Sequence, residues 1–169
     1  MDGDRALSLR LAEPSDAAWL GRAALAAGGG IYEHLLVDAA RGFSPEIALA
    51  AAIAAGAGGL SWRNGIVVEA TAPLGAAIAY PGKDFGLDPS IAAAATAAAK
   101  ADLAPLFDAV PPADSFYLHA IWVDAAARGL GAGGLLLDGV MAFAAEEGFG
   151  RVSLHVWADN APALALYRS

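Results

Sequence analysis

The spacing of apolar residues changes along the chain from strand-like to helix-like and back. Leu7-Ser8-Leu9-Arg10-Leu11 alternates and predicts a first strand. Glu13-Pro14-Ser15-Asp16 is a helix opening, with acids at its positive end. The helix is predicted from about Asp16 to Ala27 and stops at Gly28-Gly29-Gly30. Residues 31–43 are mixed, with a short helix over Ile31 to Leu36. Ser44-Pro45-Glu46 caps another helix, which runs to about Ala55 before a glycine break at Gly56 to Gly59. Ile66 to Ala70 and Leu74 to Tyr80 predict two strands, turned at Ala72-Pro73, that pair as an antiparallel hairpin.

Residues 83–113 follow as an insertion. It carries an alanine-rich helix around 91–101, an interruption at Pro105 and a stop at Pro111-Pro112. Isolated alanine helices need packing to persist, so this piece is expected to sit against the body of the domain, near a substrate pocket or at a dimer surface. Phe116 to Val123 is aromatic and β-branched, as a buried strand should be. A loop follows, then a helix over 133–147 stopped by Gly148, a strand over Arg151 to Trp157, and a last helix capped by Asp159 or Asn160.

The loop Arg128-Gly129-Leu130-Gly131-Ala132-Gly133-Gly134 carries the most informative chemistry. Its glycines have no Cβ to keep a ligand off the backbone. It feeds a helix N-terminus, where unpaired N–H groups and the helix dipole favour an anion. Arg128 adds a charge with phosphate-matching geometry. Read literally, Gly129-x-Gly131-x-x-Gly134 is a dinucleotide-binding pattern. That pattern wants its first glycine at the end of the strand, whereas Asp124 to Arg128 intervene here.

A second pattern accounts for more of the chain. Arg128-x-x-Gly131-x-Gly133, with Tyr117-Leu118-His119-Ala120-Ile121-Trp122-Val123 before it and Asn160-x-x-Ala163-x-x-x-Tyr167 after it, resembles the GNAT superfamily of N-acetyltransferases. The resemblance covers residues 116–168 closely and the earlier chain more loosely. It implies an α/β (α+β) fold in one domain over 1–169: a mixed, mostly antiparallel central sheet flanked by helices. The family pattern continues with two further strands that this sequence does not show. Either the chain is expected to continue beyond Ser169, or the edge strand over 151–157 is expected to be completed in a homodimer.

The resemblance also implies a function. Acetyl-CoA is the expected co-substrate and a primary amine on a small molecule or peptide the expected acceptor, by direct attack. A non-catalytic acyl-CoA-binding module of the same fold is the alternative. Backbone groups of Ile121 and Val123 are expected on the pantetheine arm and thioester. Arg128, Gly129, Leu130, Gly131, Ala132 and Gly133 are expected on the pyrophosphate, and Asn160 on the CoA arm. Tyr167 matches the tyrosine that gives a proton to the leaving thiolate. His119 matches one of two histidines in the arylalkylamine branch of the superfamily, where Tyr117 replaces the other. Two readings of His119 stand: proton acceptor, or hydrogen-bonded strand histidine. Ser61-Trp62-Arg63-Asn64 is a further candidate wall of the acceptor pocket.

Composition narrows the picture. The hydrophobic fraction of 57% is inflated by alanine, and no apolar run reaches the roughly 18 residues of a membrane span. With no cysteines and three scattered histidines, neither disulfides nor a metal site is expected. The first residues lack a signal-peptide pattern, and a cytoplasmic protein is expected. The net charge of −8 disfavours nucleic acid and acidic membranes and favours a cationic acceptor. Positive potential for a CoA-type ligand must then be local, at the 128–134 loop.

Overall fold

The structure, a computed structural model, describes residues 6–37 and 44–168. Residues 38–43, at the end of the mixed segment, and Ser169 lie outside it. Five strands form one sheet in the order β1-β2-β3-β4-β5: β1 Ser8–Leu11, β2 Gly65–Glu69, β3 Pro73–Pro81, β4 Phe116–Val123 and β5 Val152–Leu154. The first four are antiparallel neighbours, and β4–β5 is parallel. This is the mixed, mostly antiparallel sheet expected from the sequence.

Helices cover both faces. On one face lie α1 (Ala17–Gly28), α2 (Ile31–Leu35), α3 (Pro45–Ala55), α4 (Pro89–Ala94) and α5 (Ala97–Asp108). Leu20, Leu35, Leu49 and Ile53 pack there against Val67, Ile78 and Tyr80. Trp19 of α1 meets Trp122 of β4 with ring centroids 5.6 Å apart. On the other face, α6 (Ala132–Glu146) sets Leu136, Val140 and Ala144 on Val68, Ala77 and Leu118. Tyr167, from α7 (Ala161–Arg168), packs at the margin of this second core.

The 83–113 segment differs in detail from the expectation. Its alanine-rich stretch is two helices, because Thr96 leaves the helical path and caps α5, accepting from the Ala99 amide at 3.1 Å. Pro105 does not interrupt α5 but lies inside it. The carbonyl it deprives of an in-helix donor belongs to Ala101, which is exposed to water. β5 is also shorter than the expected 151–157. Its pairing runs from Phe116–Val152 only to Leu118–Leu154, and then the two strands part. Among the described residues β5 is one edge of the sheet, and none of its residues is fully buried.

The parting follows from a bulge in β4. Ile78 pairs with Ala120 and Ala79 with Leu118, which leaves His119 as the extra residue. The Phe116 amide donates across the β5 edge to the Arg151 carbonyl at 2.9 Å. Eight residues on, the Asp124 amide donates to Leu74 on the β3 side at 2.8 Å. Regular alternation would put both amides on one edge, so the bulge has inverted the phase. The side chains agree: Leu118 joins the α6 core, Ala120 the opposite core, and Ile121 the α6 core again. Counting back from Asp124, the Ile121 and Val123 amides face the edge that β5 has left.

One polar cluster ties the first strand to this frame. The guanidinium of Arg10 donates to both oxygens of buried Asp16 at 2.6 and 3.0 Å, and to Glu69 on β2 at 2.8 Å. Asp16 also accepts from the Glu13 amide at 2.8 Å, closing the helix start. The Arg10 hydrogen bond holds the Asp16 carboxyl below its ordinary 3.8. Arg10→Leu leaves Asp16 buried without its cation, and should destabilise the fold by on the order of 3 kcal/mol in denaturant titration at neutral pH. A carboxyl with a depressed pKa adds stability that is present above its unfolded pKa and lost as pH falls through the folded one. The gap between wild type and variant should therefore narrow below about pH 3.8, the unfolded value.

Candidate functional site

Where β4 and β5 part, the fold encloses a cleft of about 540 Å3. His119 and Ile121 line it from β4, Trp157 from the segment after β5, and Asn160 and Tyr167 from the α7 region. Ile31 and Tyr32 contribute from α2, and Phe85, Leu106 and Phe107 from the 83–113 segment. Four residues proposed from the sequence, His119, Ile121, Asn160 and Tyr167, thus meet in one cavity. The insertion forms part of its wall, as its need for packing suggested.

His119 sits at a junction of tyrosines. Its Nε2 is 2.8 Å from the Tyr32 hydroxyl, and its Nδ1 is 3.0 Å from the Tyr80 hydroxyl. A neutral imidazole has one N–H and one bare nitrogen, so one tyrosine donates to the ring and the other accepts from it. The residue is half-buried, with its surface on the cavity, and desolvation pushes its pKa down to about 4. No charge enters that shift. Burial likewise raises the pKa of Tyr32 and Tyr80, and pushes Tyr117 up to about 12. Tyr117, in the place of the second histidine of the arylalkylamine branch, meets His155 Nδ1 through its hydroxyl at 3.0 Å. Tyr167 is half-buried, and burial raises its pKa.

The glycine loop forms the other end of the site. Asp124 caps a single turn over Ala125–Ala127 by accepting from the Ala126 amide at 2.9 Å. Arg128 then donates from Nε to the Val123 carbonyl at 3.4 Å. Gly129 and Gly131 take φ of 79° and 84°, a region closed to most L residues. Gly131 is the N-cap of α6, and no side chain caps the helix. A Cβ built on Gly129, Gly131 or Gly134 would meet nothing within 4 Å, so the backbone there borders open space. One on Gly133 would make ordinary contact with Leu166 at 3.5 Å. Leu130 is 63% exposed and Ala132 is buried. An uncapped helix start, open glycines and one exposed guanidinium suit a pyrophosphate, so the loop fits the CoA-type ligand it was expected to hold.

Several placements were not legible in advance. Tyr32 and Tyr80 gave no local signal, since each acts through a histidine distant in sequence. Phe85, Leu106, Phe107 and Trp157 carry no motif in the sequence, and the fold brings them to the cavity. The Ser61–Asn64 segment does not line this cavity. Ser61 caps its own turn, Arg63 reaches the Gly56 carbonyl, and Asn64 lines a second cleft. His34 pairs with Asp102 at the surface, and His155 lies in the cavity wall. Among the described residues no helix is long and apolar enough to cross a membrane.

The comparisons with known proteins agree with this geometry. No curated protein sequence matches the chain. A solved structure reported as an acetyltransferase is 23% identical, with a TM-score of 0.69 over 95% of this chain and 86% of that one. An N-acetyltransferase from Staphylococcus aureus Mu50 is 17% identical, also with a TM-score of 0.69, over 95% and 87% of the two chains. AAC(6')-Iy, solved with the bisubstrate analog CoA-S-monomethyl-acetylneamine, is 15% identical with a TM-score of 0.55, over 96% and 88%. At such identities these likenesses speak for the fold. The sequence model of the Acetyltransferase (GNAT) family matches residues 68–169, more than half of the chain and the part that holds the bulged strand, the glycine loop and α7. The chain belongs to the GNAT acetyltransferase family.

Proposed function

We propose that the protein transfers an acetyl group from acetyl-CoA directly to a primary amine held in the 540 Å3 cleft. The observation that carries this is the meeting of His119, Ile121, Asn160 and Tyr167 around one cavity, at the edge where β4 has lost its partner. A CoA-bisubstrate complex in a protein of the same fold supports the co-substrate.

Acetyl-CoA supplies an acyl carbon on a thioester. The glycine loop and the first turn of α6 would hold its pyrophosphate, with Arg128 beside them. The Ile121 amide, aimed at the open edge, would donate to the thioester oxygen where negative charge develops. The Val123 amide, two residues on, would hold the pantetheine arm, with Asn160 across the cleft. The new bond forms between amine nitrogen and acyl carbon, and the carbon–sulfur bond breaks. The amine gives up one proton, and Tyr167 gives one to the departing sulfur. His119 cannot take the amine proton unaided, since both ring nitrogens are already bonded. We assign it a place behind Tyr32, whose hydroxyl it holds at 2.8 Å, and the amine proton leaves to solvent through the mouth of the cleft.

Acetyl-CoA should raise the melting temperature, and NAD should not. Gly131→Val should lose the acetyl-CoA shift, because its side chain enters the cradle and its backbone is strained by about 1 kcal/mol or more. Gly133→Ala should keep it. Stabilisation by NAD alone would defeat the reading.

Tyr167→Phe should lower kcat by on the order of 10²-fold with little change in acetyl-CoA affinity. A full-rate variant would return Tyr167 to a packing role. If amines release no CoA thiol from a protein that still binds acetyl-CoA, the acyl-CoA-binding reading prevails.

The pH dependence follows from the lowered pKa of His119. Between pH 6.5 and about 4 the unfolded chain takes this proton before the folded one, so stability should fall as pH falls through that window. The loss at its lower end is at most roughly 3 kcal/mol. His119→Gln should lack this slope in denaturation curves taken across the window. In rate profiles the same shift should leave no limb near pH 6.5 attributable to His119.

A further inference from the structure

We infer that the acceptor is a primary amine on an apolar body, alkyl or aromatic, with no second cationic group, and that the wall from the 83–113 segment selects it. This rests on the acetyl-transfer reading above. The acceptor side of the cavity is built by Ile31, Tyr32, Phe85, Leu106, Phe107 and Trp157. Among the described residues no Asp, Glu, Lys or Arg lines the cavity. A bound ammonium would find ring faces and neutral hydroxyls but no counter-ion, and an unpaired charge is expensive to bury. The reacting amine escapes that penalty by losing its proton, which is also the step the chemistry needs. A second ammonium on the same molecule would not escape it.

The state of His119 points the same way. Desolvation lowers its pKa, in keeping with a cavity whose described lining holds no carboxylate. The nearby acids lie elsewhere. Asp84 and Asp88 line a separate cleft of about 610 Å3, together with Tyr80. There Asp88 caps α4, accepting from the Ser90 amide at 2.9 Å. Phe85 lines both spaces. The overall charge of −8 therefore draws amines toward the protein without giving them an anion in the cavity. Trp157 closes one side of the cavity against the α1–α2 turn, where a Cβ on Gly29 would lie 2.7 Å from its ring nitrogen.

The test uses the full chain with acetyl-CoA at one pH, reading thiol release. Hexylamine and 1,6-diaminohexane have the same carbon chain and differ by the distal amine. The kcat/KM for hexylamine should exceed that for the diamine by on the order of 10-fold or more, the usual penalty for an unpaired buried polar group. 2-Phenylethylamine should fall with hexylamine, and the polycation kanamycin should be the poorest acceptor. Leu106→Asp places a carboxylate in the wall. It should close or reverse the hexylamine preference, while the acetyl-CoA melting shift shows that the fold and co-substrate site persist. Equal or better use of the diamine or kanamycin by the wild type overturns this inference and leaves acetyl transfer standing. An unchanged preference in folded Leu106→Asp overturns the assignment of the wall. Failure of every amine to release thiol overturns both readings.

Discussion

One extra residue in β4 organises the site. His119 has no partner across β3, and its insertion reverses which edge of the strand each later amide faces. Without it, the Ile121 and Val123 amides would be spent on β3 and their carbonyl neighbours would face the cleft. The same residue ends the useful register with β5, so the strands part after three rungs. The cavity is therefore a consequence of pairing geometry, and the residues that line it are those that the reversal leaves at its margin. The cores on either face hold the bulge in place: Leu118 and Ile121 anchor it to the α6 side, Ala120 and Trp122 to the α1 side.

Much of this was legible in the sequence for identifiable reasons. The helix starts at Pro45 and Ala161 were marked by Ser44 and Asn160, whose side chains accept from amides three residues on. The glycine loop was legible because its function lies in what glycine lacks. The Asn160–Tyr167 spacing was legible because one helix carries both ends. The family resemblance supplied the roles that spacing alone could not.

What stayed hidden depends on pairing and long-range contact. Phe116 to Val123 is apolar on both faces, so no polar alternation could reveal a change of phase at His119. The early end of β5 could not be seen in Val152 to Trp157, since Val156 and Trp157 are as strand-like as Val152. Thr96 looked like one residue in an alanine helix, yet its hydroxyl divides the segment in two. Tyr32 and Tyr80 lie 87 and 39 residues from His119, and only the fold brings their hydroxyls to its ring.

That ring, held from both sides, has a consequence of its own. Two tyrosines and one neutral imidazole share two hydrogen bonds, and the chain of donors can run in either of two senses. If the Tyr32 hydroxyl donates to Nε2, then Nδ1 carries the hydrogen and donates to Tyr80. If Tyr32 accepts, the sequence reverses and Tyr80 becomes the donor. The two senses differ only in which ring nitrogen is protonated. A molecule that hydrogen-bonds to Tyr32 in the substrate cleft thereby fixes the orientation of the hydroxyl of Tyr80, a residue that borders the second cleft. The two spaces share no lining charge, yet each can read the polarity of the other through a tautomer.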